Sequence, residues 1–115
     1  MDQQNPGNID FSSLQALIDT INERASASGD SSYTASLLSK GIEKCAEKLG
    51  EEATETIIAL VSKNKEQVVY ESADLLYHLL VALKSADISL GEVIEELDRR
   101  QGVAGHAEKA SRKKS

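Results

Sequence analysis

Apolar residues recur every three or four positions along most of this chain, which is the spacing of α-helices that bury one side. No strand-like alternation of apolar and polar residues competes with that pattern. The sequence therefore predicts an all-α fold of four to five helices. Four of them run over residues 10–27, 42–63, 64–84 and 89–102. Between the first two of these lies a short helix that begins after Ser32 and that Gly41 ends or kinks.

Capping residues mark where these helices begin. Asp10 and Ser32 have side chains that can accept a hydrogen bond from the first free N–H groups of a helix. Asn64 and Ser89 are each followed three residues later by Gln or Glu, the spacing of a capping box. The turn between the third and fourth helices must be tight, so the two form a hairpin.

Most of the apolar surface lies on that hairpin. The fourth helix is apolar around most of its circumference, which predicts that it is largely buried. The third has one continuous apolar face, formed by Ile42, Ala46, Leu49, Ala53, Ile57, Leu60 and Val61.

The composition suits one small domain with an aliphatic core, since 115 residues include 40% apolar and 3% aromatic residues and no Trp. A chain this short buries a small share of its surface, and exposed apolar faces are commonly covered by a second copy. We therefore expect an antiparallel bundle completed by homodimerisation. The expected organisation is a flexible segment over residues 1–8, a helical domain over 9–100 and a basic tail over 101–115.

Charge and hydropathy argue against two classes of partner. Residues 99–115 hold six Lys or Arg against one Glu, so 13 basic and 19 acidic residues divide into a net charge of −11 over residues 1–98 and +5 over residues 99–115. Such an acidic body repels nucleic acid. The longest nearly apolar run, residues 75–83, is far shorter than the roughly 20 residues that span a bilayer. A lone Cys45 and no recognisable signal peptide point to the cytoplasm.

Five acidic side chains form two groups on the hairpin, Glu51, Glu52 and Glu55 on the third helix and Glu71 and Asp74 on the fourth. Spacings of three or four residues place each group on one helix face. The hairpin would bring Glu52 and Glu55 towards the second group. Because burying unpaired carboxylates costs several kcal/mol each, a positive partner is needed.

That partner can be Lys44, Lys48 or a metal ion, and four facing carboxylates outnumber two lysines. Oxygen ligands without Cys or His at zinc-like spacing favour Mg²⁺, or alternatively Mn²⁺. Mg²⁺ sites are often completed by phosphate oxygens, which points to a polyphosphate substrate. The competing interpretation is a solvated helix face with weak ion pairs. His78, beside the acids, is more typical of a hydrogen-bonded packing residue than of a catalytic one.

Four segments carry a resemblance to a known family. The runs GIEKCAEKLGEEATE and YESADLLYHLLVAL, with SYTASLL before them and GHAEKASR after them, closely resemble the phosphoribosyl-ATP pyrophosphohydrolases of histidine biosynthesis. The pattern EExxE followed by ExxD is shared with the wider MazG-type all-helical nucleotide pyrophosphohydrolases. The SYT and EKASR segments narrow the resemblance to the histidine enzyme.

The resemblance implies Mg²⁺-dependent hydrolysis of phosphoribosyl-ATP to phosphoribosyl-AMP and pyrophosphate by an obligate helical homodimer in the cytoplasm. Glu51 would be a further ligand or would orient the attacking water. The implied metal ligands are Glu52, Glu55, Glu71 and Asp74.

Four basic residues are candidates for substrate binding. Lys48 and Lys44, one and two turns before the acids of the third helix, can bind phosphate oxygens or simply balance the acidic charge. We expect Lys109 and Arg112 to close over the substrate from the basic tail, in the same subunit or in its partner.

Two alternatives remain at this point. A house-cleaning nucleoside triphosphate pyrophosphohydrolase of the MazG type would share the metal cage but take another base, and the SYT and EKASR segments argue against it. A non-catalytic helical dimerisation module would carry the acids as surface charge and would show no saturable Mg²⁺ binding.

Overall fold

The computed structural model describes residues 8–27, 29 and 32–102. That part of the chain contains no strand, which confirms the all-α prediction, and every predicted helix end is met to within two residues. None of its helices has the length and apolarity that crossing a membrane requires. The five helices are α1 (Ser12–Ala25), α2 (Tyr33–Ser39), α3 (Ile42–Val61), α4 (Lys65–Ser85) and α5 (Leu90–Gln101).

Side chains cap three helices at the predicted residues. Ser32 and Asn64 each accept a hydrogen bond from the backbone N–H three residues further on, at 3.0 and 3.2 Å. Ser89 and Glu92 form a complete capping box, with N–H to oxygen distances of 3.2 and 3.1 Å. Gly41 adopts φ = 96°, which side-chain-bearing residues avoid, and it separates α2 from α3 as predicted.

The start of α1 differs from the prediction. Its N-cap is Phe11, which makes no side-chain capping bond, so the assignment of Asp10 as the cap is wrong. The Asp10 carboxylate instead accepts a hydrogen bond from the Ser12 N–H at 3.0 Å. This bond stabilises the charged form and lowers the pKa of Asp10. A short Asx turn therefore leads the chain into α1.

The core lies where α1, α2, α3 and α4 meet. Its centre is formed by Ile21, Leu37, Cys45, Leu80 and Val81. Cys45 is 1% exposed, and its thiol lies 3.4 Å from the Leu37 carbonyl oxygen, to which it donates. The thiol therefore acts as a small packing group.

The hairpin of α3 and α4 buries only one side of each helix. The buried residues of α3 are Cys45, Thr56 and Ala59, not the continuous apolar face that the sequence shows. The expectation that α4 is largely buried fails for the single chain, because only His78, Leu80 and Val81 of that helix are buried. The large apolar side chains of the hairpin that are more than half exposed are Ile42, Ile57, Ile58, Leu60, Val61, Val69, Tyr70 and Leu76.

Candidate metal centre

Three carboxylates from the two arms of the hairpin converge on one point. Glu52 and Glu55 of α3 and Glu71 of α4 each place an oxygen within 4.8 Å of the other two. We call these three residues the acidic cluster. The acidic side of α3 thus faces α4, while the apolar side of α3 faces outwards.

The acidic cluster lacks internal compensation for its charge. The Oε1 atoms of Glu52 and Glu71 are both buried, and neither has a hydrogen-bond partner among the described residues. Loss of hydration raises the pKa of Glu71, and the negative charges of Glu55 and Glu52 raise it further. At neutral pH this arrangement favours the binding of a cation.

The nearby lysines do not neutralise the acidic cluster. Lys44 forms an ion pair with Glu47 at 3.2 Å, and Lys48 forms one with Glu51 at 3.0 Å. The hydrogen bond to Glu51 is also the main reason why the pKa of Lys48 is raised. Both pairs lie on the surface of α3. Lys48 also attracts Glu52, but neither lysine forms an ion pair with a carboxylate of the cluster.

A divalent cation fits this set of donors. The cluster offers only carboxylate oxygens, which suit hard cations such as Mg²⁺ and Mn²⁺. Two buried oxygens without partners are the feature expected of ligands that need an ion. Surface ion pairs do not account for these two buried oxygens, because the ion pairs of α3 involve Glu47 and Glu51 instead.

Other predicted site residues lie outside the acidic cluster. Glu51 is exposed and paired with Lys48. Asp74 is partly buried one turn after Glu71, but its carboxylate is not among the three that converge. The assignment of either residue as a metal ligand stays a prediction. Lys109 and Arg112 lie outside the described residues.

Thr56 holds the two arms of the hairpin together beside the acidic cluster. Its hydroxyl lies 2.8 Å from the Glu52 carbonyl oxygen and 3.2 Å from the Glu71 carbonyl oxygen, so one proton is shared between two acceptors. Thr56 is not among the site residues that the sequence predicts. The sequence feature that could have indicated it is its position one turn after Glu52, within the acidic face of the helix.

Replacing Thr56 with Val should lower the free energy of unfolding by about 1 kcal/mol, the net worth of one hydrogen bond. Valine keeps the shape and the β-branch but removes the hydroxyl that bridges α3 and α4. Thr54→Val is the matched control, because the Thr54 hydroxyl is exposed and bonds only within α3, to the Gly50 carbonyl. Urea unfolding measures both variants, and equal losses would show that the bridge adds nothing.

The raised pKa of Glu71 predicts how pH affects the stability of the metal-free chain. The folded chain keeps this proton at pH values where the unfolded chain, with an ordinary pKa of 4.5, has lost it. Stability should therefore fall as pH rises from 4.5 through the raised pKa. The test measures the free energy of unfolding of the wild type and of Glu71→Gln in EDTA across this pH range. The difference between them isolates the contribution of Glu71 ionisation to stability. Parallel pH profiles would contradict it.

His78 and Tyr77 are structural neighbours of the site. His78 is 6% exposed, with Nδ1 3.0 Å from the Asp74 carbonyl oxygen and Nε2 3.3 Å from the Tyr33 hydroxyl. Tyr77 is partly buried and shares a short hydrogen bond with the Thr34 hydroxyl, and burial raises its pKa. Both nitrogens of His78 have partners, as expected of a packing residue.

The sequence is similar to proteins of a known family over most of its length. A family model described as phosphoribosyl-ATP pyrophosphohydrolase matches residues 14–101. A protein of Rhodobacter capsulatus named phosphoribosyl-ATP pyrophosphatase is 54% identical over 102 residues, which cover 89% of this chain and 99% of that protein. Proteins with the same name from Geobacter metallireducens and Dinoroseobacter shibae are 57% and 54% identical, over 88% and 89% of this chain and 93% and 100% of their own lengths.

Proposed function

This chain belongs to the phosphoribosyl-ATP pyrophosphohydrolase family, and from that premise we propose that it hydrolyses phosphoribosyl-ATP to phosphoribosyl-AMP and pyrophosphate in L-histidine biosynthesis. It is a hydrolase that acts on a phosphoanhydride bond. The observation that carries the proposal is the acidic cluster, whose buried oxygens have no partner among the described residues. We further propose that Mg²⁺ is the cation and that the reaction takes place in the cytoplasm.

The acidic residues have distinct proposed roles. Glu52, Glu55 and Glu71 would hold the cation, which when bound supplies positive charge against the departing pyrophosphate. Asp74, one turn after Glu71, is the proposed fourth ligand. Glu51 precedes Glu52 in the chain and forms an ion pair with Lys48, and we propose that it orients the attacking water.

The lysines of α3 are proposed to bind phosphate oxygens. An ammonium group has three N–H donors, and Lys48 uses one of them on Glu51, which leaves two for a phosphate. Lys44 lies one turn further from the acidic cluster and has the same arrangement with Glu47. The existing ion pairs would orient both ammonium groups before substrate arrives.

The basic tail is proposed to close over the substrate through Lys109 and Arg112. Removing every residue after Gly102 should raise KM for phosphoribosyl-ATP at least tenfold, about the loss expected on removing charge-assisted hydrogen bonds to phosphate. Steady-state kinetics of the truncated and full chains give the comparison. Unchanged KM would reject a role for the tail.

Homodimerisation is supported by the apolar face of the hairpin. Ile57, Leu60 and Val61 are 59%, 56% and 75% exposed in the single chain. Contiguous apolar surface of this kind marks an interaction site. Because the acidic side of α3 faces α4, a second copy can cover the apolar side without disturbing the acidic cluster.

The decisive experiment measures pyrophosphate release from phosphoribosyl-ATP and from the common nucleoside triphosphates. We expect phosphoribosyl-ATP to be the preferred substrate, and we expect EDTA to abolish its hydrolysis and Mg²⁺ to restore it. Faster hydrolysis of an ordinary triphosphate would instead indicate a house-cleaning enzyme. Absence of both hydrolysis and saturable Mg²⁺ binding would reject catalysis.

A further inference from the structure

Tyr33, at the start of α2, presents an aromatic ring that is held in place and is nevertheless 54% exposed. The ring stacks against Tyr77, with centroids 6.3 Å apart and planes 18° apart. It also meets the edge of the buried His78 ring, at a centroid distance of 6.1 Å. About half of the surface of the Tyr33 residue is nevertheless open to solvent.

Hydrogen bonding determines how Tyr33 is held. His78 Nδ1 lies 3.0 Å from the Asp74 carbonyl oxygen, which can only accept, so Nδ1 carries a proton. In a neutral imidazole Nε2 is then the acceptor, and the Tyr33 hydroxyl donates to it across 3.3 Å. A ring ordered in this way loses little conformational entropy when a ligand packs on it.

The contacts of Tyr33 on the hairpin lie within two helix turns of the acidic cluster, because its neighbour His78 follows Glu71 by seven residues. His78 follows Asp74 by one turn of α4. On α3, Lys48 precedes Glu52 by one turn, and it lies near enough to Tyr33 that an ionised Tyr33 hydroxyl would attract its ammonium group. One to two turns of helix correspond to about 5 to 11 Å, a distance that a nucleotide can bridge between its phosphates and its base.

We propose that the open face of Tyr33 stacks on the purine base of the substrate while the phosphates lie at the acidic cluster. The inference rests on the proposed function and names the residue that would recognise the base. Tyr33 would thereby favour a nucleotide over a sugar phosphate. Stacking on an aromatic side chain contributes about 5- to 150-fold to affinity.

A groove on the other side of the acidic cluster is the competing position for the base. It has a volume of about 240 Å³, and its lining includes Glu55, Glu71, Ile58 and Gln67. Its lining residues include neither an aromatic ring nor a lysine or arginine. The Tyr33 ring, with Lys48 beside it, is the better match for a base joined to phosphates.

Calorimetric titration of the full chain with AMP and with ribose 5-phosphate, both in Mg²⁺, tests the proposal. We expect the wild type to bind AMP at least fivefold more tightly than ribose 5-phosphate. Tyr33→Leu should remove that difference by weakening AMP alone, and Tyr33→Phe should retain most of it because the ring remains. Phe11→Leu is the matched control, since Phe11 is 63% exposed and has no ring contact among the described residues.

A wild type that does not distinguish AMP from ribose 5-phosphate would overturn the proposal, as would a Tyr33→Leu variant that weakens both ligands equally. Loss of AMP affinity in Gln67→Ala but not in Tyr33→Leu would place the base in the groove. Should Tyr33→Leu fail to fold, NMR of the wild type decides, because stacking shifts the Tyr33 ring signals with AMP and not with ribose 5-phosphate. These are binding measurements, so failure of phosphoribosyl-ATP hydrolysis would reject the proposed function separately.

Discussion

Replacing Glu71 with Gln should lower kcat for pyrophosphate release from phosphoribosyl-ATP at least ~100-fold, the scale of removing one electrostatic stabiliser. Glutamine keeps the size of the side chain but removes its charge from a position where one carboxylate oxygen is buried without a partner. Rates should be measured over a range of Mg²⁺ concentrations, because the variant is also expected to bind the cation more weakly. Saturating Mg²⁺ then separates the loss of kcat from the loss of affinity.

Glu66→Gln is the matched control for this variant. Glu66 lies in the first turn of the same helix, is exposed and belongs to no carboxylate group that could hold a metal. Its activity should stay within about twofold of the wild type, as for most surface substitutions. If Glu71→Gln kept more than a tenth of wild-type activity at saturating Mg²⁺, the acidic cluster would not be the catalytic centre.

Replacing Ile57 with Asp should weaken self-association at least 100-fold. Dimerisation through the apolar face of α3 would bury this side chain in both copies. Burying an unpaired charge costs several kcal/mol. A cost of about 2.8 kcal/mol already raises the dissociation constant of the dimer a hundredfold. Analytical ultracentrifugation across a concentration series measures the effect. The single chain should remain helical, because Ile57 is 59% exposed in it and contributes little to its core.

Ile9→Asp serves as the control, since Ile9 is 65% exposed but precedes α1 and is not part of the hairpin. It should associate as the wild type does. Equal weakening by the two substitutions would point to general destabilisation, and an Ile57→Asp variant that dimerises normally would require another interface. If Ile57→Asp is monomeric, its activity will show whether one hairpin can catalyse alone.

Local structure could be predicted from the sequence because it depends on neighbours along the chain. The sequence predicts Ser32 as a cap from its side chain, and Asn64 and Ser89 from the capping-box spacing. All three accept the expected hydrogen bonds. Asp10 was misplaced because an Asp before a helix can either cap it or form an Asx turn. Which one forms depends on backbone angles that residue identity does not determine.

Burial could not be predicted in the same way. The side of α3 that looks like a core face is exposed in the single chain, and the side that looks solvated carries Glu52 and Glu55 towards α4. Helical periodicity shows that a helix has two different sides. It does not show which side a neighbouring helix will contact.

The helices, three of their caps and the acidic residue types suited to a hard cation follow from the sequence, because they depend on spacing and side-chain chemistry. The sequence also predicts that Glu52 and Glu55 approach the acids of α4. Tertiary packing decides that Glu71 converges with them while Asp74 does not. It also pairs Lys48 with Glu51 and brings the Thr56 hydroxyl between two helices. Hydrogen bonds and ion pairs form only between atoms a few ångströms apart. Such distances between α3 and α4 are decided by how the hairpin packs.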